Sequence, residues 1–178
     1  QANLLRRAAG LVDGQAYISM HVRTGQGETW DDPLRHNGDE NLNRFYQCGC
    51  KLQQAMQKYC TNISYKPSVY IAADNNYAKS RIQRWDSSDT FKSESDIEVV
   101  HIGKTRYEEI KDPRMAYSQV WGELKVLIDS SCIVMSRSKF SYMGSELSPR
   151  QPRCAVLFDN CGDDKVRSAV SSLGSTCK

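Results

Sequence analysis

The chain has 178 residues, 39% of them apolar and 25% charged, which is ordinary for a soluble protein and favours one domain, residues 1–178, with a single core. The net charge is only +3, and basic residues are mixed with acidic ones, which argues against nucleic acid as a partner. No apolar run is long enough to cross a bilayer. The first residues lack the long apolar core of a signal peptide, so we expect any leader to have been removed.

The regular alternation of helical and extended patterns is the main signal of fold class. Strands are predicted from short β-branched or continuous apolar runs, at residues 17–22, 68–73, 96–103, 132–135 and 155–158. Helices are predicted from apolar residues three or four apart, at residues 2–10, 41–59, 77–85 and 113–128. A short helix is predicted after the fourth strand, ending at residue 147, and a last helix begins after residue 163.

Several details accompany these helices. The first is expected to place Leu4, Leu5 and Ala8 on one side and to end at Gly10. Residues 74–76 are expected to cap the third helix, and Asp163-Asp164 the last. The fourth helix begins at Pro113 and is expected to bury Met115 or Ala116 together with Val120, Leu124, Leu127 and Ile128. A Ser/Asp-rich loop is expected from about Ser87 to the third strand.

Five strands alternating with helices predict an α/β, Rossmann-like, three-layer α/β/α domain with about five mostly parallel strands. The dinucleotide signature Gly-x-Gly-x-x-Gly is absent after every predicted strand. The pattern therefore gives no reason to assign NAD or FAD, and we expect no required cofactor.

Seven cysteines are many for a reducing compartment, and Asn62-Ile63-Ser64 is an N-glycosylation pattern. Together they favour a secreted or secretory-pathway glycoprotein with disulfides. An odd count leaves one thiol free or bonded to another chain, which allows a disulfide-linked homo-oligomer. A bond between Cys161 and Cys177, around the last helix, is our hypothesis for one pair.

Zinc is the competing interpretation of the cysteines, because Cys48, Cys50 and Cys60 are close in sequence. The one-residue gap between Cys48 and Cys50 is not a usual zinc spacing, and no histidine lies nearby. We therefore expect no metal site.

The carboxyl ends of parallel strands meet at one edge of the sheet, where ligands of such domains bind. We expect Arg23, Asp74, His101 and the turn Ser136–Ser141 to face a common crevice there. Arg23 offers a planar, permanently charged fork for phosphate or carboxylate. The hydroxyl-rich turn offers backbone amides at a helix start, which suit an anion, although ordinary serine capping gives the same pattern.

Three motifs in order resemble a known family: His21-Val22-Arg23-Thr24-Gly25, then residues 69–74, then the pattern Ser-x-Ser-x-Phe-Ser at 136–141. They resemble the donor-binding half of GDP-fucose-dependent fucosyltransferases with a His-x-Arg motif, the α1,6-, α1,2- and protein O-fucosyltransferase group. The resemblance spans roughly residues 16–160. It implies one half of a GT-B glycosyltransferase fold, with GDP or GDP-fucose as ligand.

The resemblance also implies roles for individual residues. Arg23 would contact the β-phosphate and stabilise the leaving diphosphate, His21 would lie beside the nucleotide, and Glu123 would read the guanine edge. The full set of expected ligand-binding residues is His21, Arg23, Thr24, Gly25, Asp74, Glu123, Ser136, Ser138, Lys139, Phe140 and Ser141.

The chain departs from that family because only a short segment precedes the His-x-Arg motif, whereas the relatives carry an acceptor half there. One hypothesis is therefore a secreted, lectin-like carbohydrate-binding protein built on the donor fold. Its sugar-contacting candidates are the polar and aromatic loop residues, namely Trp30, Asp31, Asp32, Asn75, Asn76 and Tyr77. The alternative is a GDP-fucose-dependent transferase domain whose acceptor site comes from another chain.

Overall fold

A computed structural model describes residues 2–24, 38–94, 112–150, 153–174 and residue 177 of the chain. The helices are α1 Ala2–Ala8, α2 Gly38–Tyr59, α3 Asn76–Trp85, α4 Pro113–Asp129, α5 Lys139–Glu146 and α6 Asp163–Ser171, with a 3₁₀ turn at Phe158–Asn160. The strands are β1 Ile18–Val22, β2 Val69–Ala73, β3 Phe91–Lys92, β4 Cys132–Met135 and β5 Cys154–Leu157. The strand predicted at 96–103, with His101, lies outside the described residues.

The five strands form one parallel sheet in the order β3-β2-β1-β4-β5. β1 is central, and it pairs with β2 over its whole length and with β4 from Ile18 to Met20. Every residue of β1, β2 and β4 is buried, because a parallel sheet is covered on both faces. The prediction of a Rossmann-like α/β domain is confirmed.

Helices cover both faces of the sheet. α4 contacts α1 and α5 on one face, and α2 contacts α3 and α6 on the other. Side chains alternate along β1, so that Ile18, Met20 and Val22 pack in the core beside α2, while Tyr17 packs in the core beside α1 and α4. Consequently His21 points toward the α4 and α5 side of the sheet.

Some local predictions are wrong. The loop predicted after Ser87 contains β3, which forms because Asp86 Oδ2 accepts hydrogen bonds from the amides of Thr90 and Phe91 and turns the chain back into the sheet. A two-residue strand has no periodicity that a sequence pattern could reveal. Leu4 is 63% exposed and does not share the buried side of α1 with Leu5. Of the two alternatives at the start of α4, Ala116 is buried and Met115 is exposed.

The caps of α3 and α6 differ from each other. Asn75 is the N-cap of α3 and its side chain accepts a hydrogen bond from the amide of Ala78, as predicted. Gly162 is the N-cap of α6, and no side chain caps it. Asp163 and Asp164 instead lie in the first turn of α6, where their charge favours the positive end of the helix dipole.

Six of the seven cysteines form three disulfides within the chain, Cys48–Cys161, Cys60–Cys177 and Cys132–Cys154. The predicted bond between Cys161 and Cys177 is wrong, because Cys161 is bonded to Cys48 and Cys177 to Cys60. Each of the two cysteines bonds instead to α2 or the residue after it, alongside which α6 packs.

Cys50 is the cysteine left unbonded. It is half-buried, and burial raises the pKa of its thiol. Three disulfides inside one chain indicate an oxidising secretory or extracellular compartment. Within the described ranges, none of the helices has the length and apolar character that crossing a membrane requires.

We predict that removing the disulfide between α2 and the start of α6, with Cys48→Ala and Cys161→Ala together, lowers the free energy of unfolding by about 3–5 kcal/mol, since it closes a long loop. Cys50→Ala is the matched control and is expected to cost under about 1 kcal/mol. Urea denaturation measures both. Peptide mapping of the unreduced protein checks the pairing, and a Cys161–Cys177 peptide would contradict it.

Candidate functional site

The strand order reverses between β1 and β4. From β1 the chain adds β2 and β3 on one side of the sheet, and it then continues with β4 and β5 on the other side. In open α/β sheets the helices diverge at such a reversal, and ligands bind outside the carboxyl ends of the two strands. The segments that follow β1 and β4 are therefore the candidate site.

A buried cluster of His21 and three serines joins these two segments. His21 Nδ1 lies 2.7 Å from Ser141 Oγ, 3.1 Å from Ser136 Oγ and 3.2 Å from Ser138 Oγ. His21 is 7% exposed and Ser141 is fully buried. The cluster fixes the turn between β4 and α5 against the carboxyl end of β1.

The imidazole of His21 is neutral at physiological pH. Burial lowers the pKa of His21 to about 4, the nearby Asp74 carboxylate opposes this shift, and the Arg23 guanidinium reinforces it. In the neutral ring, Nδ1 either donates or accepts one hydrogen bond, and a serine hydroxyl can serve as its partner in both cases. Phe140 lies against the ring with centroids 5.0 Å apart. The neutral side chain of His21 thus holds the turn after β4 by hydrogen bonds and adds no positive charge to the site.

Positive charge at this edge comes from Arg23, immediately after β1. Its Nη1 lies 3.4 Å from Asp74 Oδ2, and the two side chains are 20% and 3% exposed. Asp74 also accepts hydrogen bonds from the Thr24 amide at 3.0 Å and from Thr24 Oγ1 at 2.9 Å. The guanidinium is therefore held at the end of β1 but remains accessible from solvent.

The amino end of α5 opens onto the same crevice. Ser138 is its N-cap, and its side chain accepts from the amide of Ser141. Lys139 occupies the first helical position and is exposed. Arg137 is exposed and its Nε donates to Asp159 at 2.8 Å. The positive end of a helix and its first amides thus lie beside the cluster.

The structure brings most of the predicted residues to this edge of the sheet, namely His21, Arg23, Thr24, Asp74, Ser136, Ser138, Lys139, Phe140 and Ser141. Gly25, Trp30, Asp31 and Asp32 lie outside the described residues. Of the other sugar candidates, the Asn75 side chain caps α3 and donates to Thr24 Oγ1 and Asp74 Oδ1. The Tyr77 hydroxyl donates to Asp39 at 2.8 Å, and Asn76 is exposed.

Glu123 lies on α4 in a separate buried cluster that the sequence did not predict. Lys79 Nζ lies 3.7 Å from Glu123 Oε1 and 3.8 Å from Glu94 Oε2. The Tyr70 hydroxyl donates to Glu94 Oε1 at 2.5 Å. Burial raises the pKa of Glu123 to about 7, and Lys79 acts in the opposite direction. The sequence carried one sign of this cluster, because Lys79 lies on the same buried side of α3 as Ala78 and Ile82.

Among the residues that the structure describes, no group of three or more His, Cys, Asp or Glu side chains could hold a metal ion. Comparison with known proteins gives no matching family model, no matching curated protein and no matching solved structure. The chemistry of the site must therefore be argued from its own residues.

We predict that His21 and Glu123 give opposite pH dependence of stability. The pKa of folded His21, about 4, is below its unfolded value of about 6.5. Its contribution is therefore present above pH 6.5 and is lost on acidification toward pH 4. The pKa of folded Glu123, about 7, is above its unfolded value of about 4.3. Its contribution is present in acid and is lost as the pH rises to 7.

Two single variants separate these contributions, each measured by urea denaturation between pH 4 and 7.5. With Glu123→Gln, we expect the free energy of unfolding to fall by about 3 kcal/mol on acidification from pH 7 to 4. With His21→Asn, we expect it to fall by a similar amount as the pH rises over the same range. Parallel pH profiles for the two variants would contradict the assignment.

Proposed function

We propose that the chain binds a nucleoside diphosphate sugar at the carboxyl edge of the sheet, with Arg23 on the diphosphate. The supporting observation is that Arg23 directly follows the central strand at the reversal of strand order, two residues after His21, which bonds to the hydroxyl-rich amino end of α5. The resemblance to GDP-fucose-dependent fucosyltransferases makes GDP-fucose the expected ligand.

Arg23 is suited to a diphosphate because its guanidinium makes two parallel, charge-assisted hydrogen bonds with phosphate oxygens. The Asp74 carboxylate, which pairs with Arg23, also accepts hydrogen bonds from the Thr24 amide and hydroxyl. When Arg23 contacts a ligand, Asp74 keeps its hydrogen bonds from Thr24 and Asn75. This limits the free-energy cost of releasing the ion pair.

The turn after β4 supplies the opposite side of the site. The first amides of α5, the Ser138 hydroxyl and Lys139 provide donors to an anion. The bonds between His21 and the serines hold this turn in place before a ligand binds. Preorganisation of this kind improves affinity, because less conformational freedom is lost on binding.

If the chain takes part in transfer, Arg23 would offset the negative charge that develops on the departing diphosphate. A secreted, lectin-like protein that binds free saccharides is the other candidate. The three intrachain disulfides support secretion for either one. The described residues give the lectin-like candidate less support, because the side chains of Asn75 and Tyr77, which were expected to contact sugar, already form hydrogen bonds within the protein.

Titration calorimetry of the whole chain with GDP, GDP-fucose and free monosaccharides tests the proposal. We expect GDP and GDP-fucose to bind and Arg23→Ala to weaken that binding by roughly 10- to 100-fold, the usual effect of a lost charged hydrogen bond. Arg23→Lys keeps the charge but loses the fork, so an intermediate loss is expected.

Arg167→Ala is the matched control, because it removes one exposed arginine from α6 and should leave the affinity unchanged. Thermal unfolding of each variant checks that it is folded. Absence of GDP binding by the folded native chain, or equal binding by Arg23→Ala, would overturn the proposal. Binding of free saccharides that is insensitive to Arg23→Ala would favour the lectin-like function.

A further inference from the structure

A cavity of about 540 Å³ opens at the amino-terminal edge of the sheet, opposite the candidate site. It lies where the chain enters β1 and β4, and Tyr17 and Ser131 line it. The Ser131 amide donates to the Tyr17 carbonyl at 2.8 Å, which closes the floor between the two strands. The volume is within the range of small-ligand sites, about 300–1,000 Å³.

Asn62 lies on the wall of this cavity. It sits in a turn in which the Ile63 amide donates to the Cys60 carbonyl at 3.2 Å. Ile63 is buried and holds the turn in the core, whereas Asn62 and Ser64 are exposed. The turn is also anchored by the bond from Cys60 to Cys177, which lines the same cavity. The glycosylation pattern is thus presented on a fixed, accessible surface turn.

We propose that Asn62 carries an N-linked glycan whose first sugars lie in this cavity. The reaction needs an oligosaccharide donor linked to a polyprenyl diphosphate. The bond from the sugar C1 to the diphosphate oxygen breaks, a bond from C1 to Asn62 Nδ2 forms, the amide loses one proton, and the polyprenyl diphosphate leaves. The three intrachain disulfides indicate the oxidising compartment in which such donors are used.

The walls next to Asn62 suit an N-acetylated sugar. Tyr65 presents a half-buried ring whose hydroxyl accepts from the Ala16 amide at 2.7 Å, so that the ring is held in place for an apolar pyranose face. Arg150 is held by bonds from Nη1 to the Asp129 carbonyl at 3.0 Å and to Ser131 Oγ at 3.3 Å. A guanidinium has five N–H donors, which match hydroxyl and acetamide oxygens.

The test uses the whole chain, secreted from eukaryotic cells and trimmed by an endoglycosidase to one N-acetylglucosamine at Asn62. We expect intact-mass analysis to find Asn62 occupied. We also expect the trimmed protein to unfold about 2–4 °C above the unglycosylated Ser64→Ala variant, the shift typical of roughly 1 kcal/mol in a chain of this size.

Arg150→Ala, made with and without Ser64→Ala, tests whether the sugar contacts the cavity. We expect the gain in melting temperature from the glycan to fall by at least half when Arg150 is absent, because residues that share a contact do not act additively. Arg44→Ala, an exposed arginine of α2, is the control and should leave the gain unchanged. An unoccupied Asn62, or a glycan that gives no gain, would overturn the inference. A gain equal in all backgrounds would also overturn it.

Discussion

The contact between the ends of β1 and β4 is the interaction on which the candidate site depends. The two strands pair in parallel at the reversal of strand order, and His21 extends this pairing through hydrogen bonds to three serines of the following turn. Because the imidazole is buried, its neutral form is favoured, and protonation of His21 would weaken the contact. The same buried ring positions the start of α5 and adds no charge of its own, so that Arg23 and Lys139 carry positive charge at this edge among the described residues.

Buried ionisable groups lie after β2 and β3 and on α3 and α4, and each has a partner of opposite charge. Asp74 keeps two donors from Thr24 besides Arg23. Lys79 is shared by Glu94 and Glu123, and the Tyr70 hydroxyl also donates to Glu94. Removing one member of such a group leaves an uncompensated buried charge, which costs more than the pairing itself contributes.

The sequence predicted those parts of the structure that have a local signal. Continuous apolar runs identified β1, β2 and β4, and the cap at Asn75 was evident from its position. β3 was missed because two residues show no period, and the hydrogen bonds of Asp86 that create it are not visible in a pattern. The pairing of Cys60 with Cys177 depends on how α6 packs against α2, which is a tertiary property. The same holds for Lys79, whose buried partners come from two distant elements.

The central claim is that one crevice, bounded by Arg23 and the turn after β4, receives the phosphates of a ligand. The most direct measurement is a set of amide ¹H–¹⁵N spectra of the uniformly labelled chain during a titration with GDP. The account predicts that the largest shifts occur at Thr24 and at Ser138–Ser141, with smaller shifts around Asn62 at the opposite edge. Shifts centred on another surface, or an unchanged spectrum at millimolar GDP, would contradict it.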